Sequence, residues 1–430
     1  MPKYKKKKHN RILNAPKKRA KQPVKVKDVS DDIEMTSYDS KKAKSKPTAS
    51  MKVVKGNKGV RTKKIKTYAV ALAVVLVVVM LFQLILPAGL FQTVSNITAV
   101  IGTGSYPIAV SGSQTLSVVP IGNYYLHLTD THFSAYSSAG KVLFSEAHGY
   151  EKPVLSISKG KSLLYNQGGK QFSVYTLNGV QYDSETKNEI ICGAVSDSGN
   201  FAIATYSESY ASQVTVYNKH YKQIYEWYSA EDTINNVAVS SSGRKIAVST
   251  FNSSSGVFNS KINVINFKSA TPEHTVTYEN KIIYGLKSCN KSNFSVIKSN
   301  GVDTVKWSNY KSENYTDDYT ISYFRNNSSV NIAVFSRERD KTDNKIVIFS
   351  KRGKVKKTVS YNGAINDIQV RGSNIYCIND SSVNVLDFDG NVKFSAEYGF
   401  GGKGISVLSA NVVAVITNNE ILRIKLGERK

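Results

Sequence analysis

CGAVSDSGNFAIATYSESYASQVTVYNKHYKQIYEW, residues 192–227, decides the fold. It holds four short runs rich in β-branched and aromatic residues, separated by Ser-Asp-Ser-Gly, Ser-Glu-Ser-Tyr and Asn-Lys-His. Such runs, bounded by turn residues and lacking a 3.6-residue apolar spacing, read as strands.

Working outward, the run FAIATY (201–206) recurs as YYLHLT (124–129), SLLYNQ (162–167), KIAVST (245–250), NFSVIK (293–298), NIAVFS (331–336), NIYCIN (374–379) and VVAVIT (412–417). The starts lie 38, 39, 44, 48, 38, 43 and 38 residues apart. A period near 40 built from short strands is that of a β-propeller blade; helical repeats would carry a 3.6-residue pattern. A second strand follows seven of these runs: FSVY (172–175), VTVY (214–217), INVI (262–265), VDTV (302–305), IVIF (346–349), VNVL (383–386) and ILRI (421–424). Glycine turns come next at Asn178-Gly179, Arg352-Gly353 and Asp389-Gly390, where a tight hairpin needs positive φ. The fourth strands (CGAVSDSGN, 192–200; NVAVSSSGR, 236–244; DIQVRGSN, 367–374) carry small apolar residues suited to a crowded axis.

Seven of the first strands are followed by three more, whereas VVAVIT is followed only by EILRIKL (420–426). SYPIAV (105–110) and TLSVV (115–119) are spare at the other end. Pairing the two ends in one blade would close the ring and hide its open edges. The expectation is an all-β, eight-bladed β-propeller of four-stranded antiparallel blades. Seven blades is the alternative, because the third strand of the fifth unit is poorly marked near Ser312–Tyr315.

No charged residue occurs between Lys66 and Asp130. The start of this gap, YAVALAVVLVVVMLFQLIL (68–86), is long enough with its flank to Leu90 for a helix crossing about 30 Å of hydrocarbon. Residues 1–66 hold 23 Lys and Arg against 5 acids, in a Lys-, Ser- and Pro-rich composition that favours disorder. The basic flank Arg61, Lys63, Lys64 and Lys66 holds that side in the cytoplasm, and a polybasic stretch there is drawn to anionic lipid headgroups. The expected organisation is a disordered basic cytoplasmic tail (1–66), a transmembrane helix (67–91), a connector with the ring-closing strands (92–122), extracytoplasmic repeats (123–426) and a short tail (427–430). No folded nucleic-acid reader accompanies the charge.

These features resemble a family of bacterial single-pass membrane proteins of unknown function with an extracytoplasmic propeller. The resemblance covers the apolar span (68–90), YPIAVSG (106–112) and the repeats to Leu426. More loosely, the AVSxSG turn and the VxVY strand are similar to quinoprotein-like and WD40-like propellers. These motifs specify a fold and leave function open, and the resemblance implies no catalytic residues.

Chemistry is thinly marked. His127, Asp130 and His132 bracket one hairpin, but no further metal ligand is obvious. Cys192, Cys289 and Cys377 are isolated and read as small core hydrophobes. Trp227 and Trp307 read as packing between sheets, with a carbohydrate or peptide platform as the sharper alternative. The charged hairpin 337–341 and the Ser/Asn-rich loop 252–260 read as solvated protrusions on which partners can bind. Two tryptophans and three separated cysteines speak against a quinone-dependent dehydrogenase. The sequence therefore predicts no catalytic site, cofactor or metal. The leading function is a non-enzymatic binding or scaffold module with an envelope protein or glycan as partner. The alternatives are a relay from an outside ligand to the basic tail, and a glycan-active enzyme.

Overall fold

A computed structural model describes residues 104–427 apart from Ser255 and Ser328. The apolar run 68–90 and the flank Arg61, Lys63, Lys64 and Lys66 lie outside the described residues, within which no helix is long and apolar enough to cross a membrane. The described residues form eight four-stranded antiparallel sheets. In chain order, blades 1 to 7 span 115–147, 153–185, 190–229, 233–279, 283–316, 320–362 and 367–397, and blade 8 combines 404–425 with Ile108–Ala109. The strand expected near Ser312–Tyr315, the weakest in the sequence, is present as Ser312–Thr316, the outermost of blade 5, so eight blades stand and seven do not.

Strand position explains composition. Middle strands such as Asn293–Lys298 and Val330–Arg337 are buried almost throughout, because neighbouring blades cover both faces and no position can be polar for free. Outermost strands such as His274–Glu279 and Val392–Glu397 alternate half-buried and exposed, the period of two expected when one face meets water. Eight buried apolar clusters result, each shared by two consecutive blades. The last joins Val118, Tyr125 and Tyr136 of blade 1 to Ala414, Ile416 and Ile421 of blade 8. The ring is closed.

Two expectations are corrected in detail. The repeat unit is shifted by one strand: the small-apolar segments do lie innermost, yet each belongs to the following blade, as Ile190–Val195 pairs with Phe201–Tyr206. Closure accordingly uses three C-terminal strands and one N-terminal strand. Ile108 and Ala109 pair with Ile421 and Glu420, whereas Thr115–Ile121 pairs with Tyr124–Thr129 inside blade 1. The second correction concerns 252–260, which is no loop. The strands Lys245–Ser254 and Val257–Asn266 continue through it as a long hairpin.

The glycines expected at turns do the work anticipated for them. Gly353 has φ +92°, and a Cβ there would lie 2.6 Å from Thr304 Cβ in the preceding blade; both conformation and space exclude a side chain.

Candidate functional site: two unlike faces of the ring

Because every blade is an antiparallel meander, the turns from first to second and from third to fourth strand all fall at one end of the ring. We call this the turn face. The second-to-third hairpins and the links to the next blade fall at the other end, the hairpin face.

Charge divides between these ends. Connectors on the turn face carry twelve Lys and Arg against three acids, whereas those on the hairpin face carry six against ten. Nine of the twelve are exposed, among them Lys219, Lys222, Arg244, Lys268, Lys291 and Arg352. This division is visible only when connectors are sorted by end, which requires the strand order.

The turn face holds a cleft of about 550 Å³ between blades 4 and 5. Its walls include Arg244 from the Ser-Ser-Ser-Gly-Arg turn, Lys268, and Lys291 from the next blade, with Phe267 and Trp307 beside them. Lys245 is already neutralised: its Nζ lies 2.6 Å from Glu273 Oε2 and donates to Tyr310 Oη at 3.0 Å. Donors from Lys245, Tyr310 and Asn266 hold the Glu273 carboxyl down at about 2. The side chains of Arg244, Lys268 and Lys291 have no ion-pair partner among the described residues. Trp307 is buried against Phe294, with centroids 4.4 Å apart. It is packing first, and its indole N–H is buried without an acceptor among the described residues.

The hairpin face differs in chemistry. Among the described residues, all five exposed large aromatic side chains lie at this end: Tyr206, Tyr210, Tyr228, Tyr284 and Phe400. Phe400 is 83% exposed, held out between Gly399 (φ +100°) and Gly401 (φ +83°). Two long hairpins also belong here, that of blade 4 and Val330–Arg337 with Asp340–Ser350 in blade 6. Arg337 is fixed on the latter by Asp343 at 3.0 Å and by the Tyr319 ring.

The histidines of the sequence reading do not converge. His127 is buried, its Nε2 lying 3.0 Å from Thr115 Oγ1. Thr115 Oγ1 donates its proton to Thr417 O, so His127 must be the donor in their bond. Burial pushes the His127 imidazole down to about 4. Asp130 instead accepts from the backbone of Ser113 and Gln114, and His132 contacts Thr131. Trp227 pairs with Val214 at the boundary of blades 3 and 4. A second cleft of about 480 Å³ between blades 1 and 2 gathers Glu146, Asp183 and Glu185 with His148 and Tyr150. A sequence search had no way to bring these three acids together, since they sit on outer strands of two blades.

Comparison with known proteins then places the chain. A family of unknown function, DUF5711, matches residues 100–426. The chain belongs to this family. No curated protein sequence matches it. Among solved structures, it is similar to the crystal structure of BamB from Moraxella catarrhalis, at 8% identity and a TM-score of 0.47, covering 76% of this chain and 100% of that one.

Proposed function

We propose that this DUF5711 member is a non-enzymatic binding or scaffold module, tethered by the apolar run 68–90 and working outside the cytoplasm through its hairpin face. The observation that carries the binding role is the gathering of exposed aromatic residues at one end of a rigid ring. Aromatic side chains bury large area at low entropy cost and dominate protein interfaces. A phenylalanine held in water between two left-handed glycines has no role in the ring's own packing. A protein partner is therefore the chemistry this face suits best.

The tether reading draws on the length of the apolar run and the basic residues before it. Photo-crosslinking in producing cells tests the binding role, with a reactive residue at position 400 or 210 and a control at 222 on the turn face. Discrete adducts from 400 and 210 are expected. No adduct at either position, with the chain in the membrane fraction, would sink the proposal. Release of the chain from membranes by alkaline carbonate would remove the tether.

A further inference from the structure

We infer that the turn face lies on the surface of the membrane from which the chain emerges and binds its anionic lipid headgroups. This inference rests on the tether proposed above, and three observations support it. The first is the charge division, twelve basic residues against three acids on this face and six against ten on the other. A polyanionic surface attracts one end of such a ring and repels the other.

The second is where the polypeptide meets the ring. Ile108–Ala109 is the outermost strand of blade 8 and runs away from the turn face. The residues before it therefore reach the ring at the turn face. Gly104 N donates to Ala139 O in the third-to-fourth turn of blade 1, and Tyr106 packs on Gly140 of the same turn. Thirteen residues separate Leu90 from Gly104, a reach of no more than about 50 Å even when fully extended. The end of the ring that the tether reaches is thus the cationic one.

The third is the cleft between blades 4 and 5. Among the described residues, Arg244, Lys268 and Lys291 stand around it without acidic partners, beside serine hydroxyls and the Phe267 ring. Cations over a partly apolar recess match a lipid phosphate with its glycerol and upper acyl chain. The division of labour follows: one face held to the bilayer, the aromatic face turned toward partners.

The test uses the full-length chain in nanodiscs of phosphatidylglycerol with phosphatidylcholine, or of phosphatidylcholine alone. A fluorophore is placed at Ser242→Cys on the turn face or Asp380→Cys on the hairpin face. Spin-labelled headgroups act as quencher. Quenching at 242 several-fold above that at 380, confined to the anionic discs and abolished by high salt, is expected. The triple variant Arg244→Glu, Lys268→Glu, Lys291→Glu should lose it, since these side chains are exposed and hold no ion pair among the described residues. Equal quenching in both lipids, or a triple variant like wild type, overturns the inference. So does binding of soluble polyphosphate without quenching by anionic discs, which would mark a site for a free or wall-borne polyanion. A chain that fails to enter discs refutes the tether instead. Docking is then read by flotation with the same lipids, where the triple variant must bind on the order of 100-fold more weakly.

Discussion

Arg325 and Asp367 meet at 2.8 Å across the boundary between blades 6 and 7, and both are largely withdrawn from solvent. Asp367 also accepts from Tyr323 Oη and from the backbone N–H of Ile405 in blade 8. Burial pushes its carboxyl up, while Arg325 and these donors act in the opposite sense. Arg325 further reaches Val118 O on the innermost strand of blade 1. Four blades are thereby joined at the axis, where innermost strands have no further strand to pair with. Arg325→Met should cost about 3–5 kcal/mol, because it strands a buried carboxylate. Arg325→Met with Asp367→Asn should recover much of the loss. Urea unfolding checks both, and a single variant as stable as wild type would refute the bridging role.

His127 makes the ring's seam sensitive to acid. Its folded-state value is depressed to about 4 from 6.5 by burial, so below pH 6.5 the unfolded chain binds a proton that the native state refuses. Stability is fully present above about pH 6.5 and falls as pH drops toward 4, by about 3 kcal/mol at most. Melting temperatures between pH 7 and 4 should fall more steeply for wild type than for His127→Gln. Parallel curves would contradict this.

The closing strand is short, and its weakness is measurable. Ile108 packs against the Val118–Ile421 cluster while pairing with Ile421. Ile108→Ala should cost about 1–3 kcal/mol. Ile108→Asp should also free the edge of Glu420–Lys425 and promote self-association. Thermal unfolding followed by light scattering distinguishes the two effects.

Phe400→Ser should leave thermal stability within about 0.5 kcal/mol of wild type, since the ring is in water. Loss of the crosslinked partner at unchanged stability is the expected result.

Burial raises the Cys192 thiol to about 12 and also raises Cys289 and Cys377. None should react with a thiol reagent in the native state, and all three should become available together on unfolding. Stoichiometric labelling of the native protein would show that these sites open.

The repeat was legible because middle strands, covered on both sides, have no freedom to be polar; NFSVIK and NIAVFS declare themselves. The strand-to-blade assignment was less so. AVSDSG sits between two equally good partners, and only the pairing of Ile190–Val195 with Phe201–Tyr206 decides which blade owns it. The faces were illegible for a related reason: Lys291 and Lys281 look alike in sequence but fall at opposite ends. The acids Glu146 and Asp183 share a cleft through no spacing rule.

The seam also sets how this ring would respond to pulling. Load applied to the N-terminal side enters at Ile108–Ala109, two residues of ladder plus the bond from Val110 N to Asn419 O. Every other blade is drawn from one continuous segment and shares its load over longer strands. Under tension the eighth blade is therefore the fuse, yielding first and leaving blades 1 to 7 folded at the moment it opens.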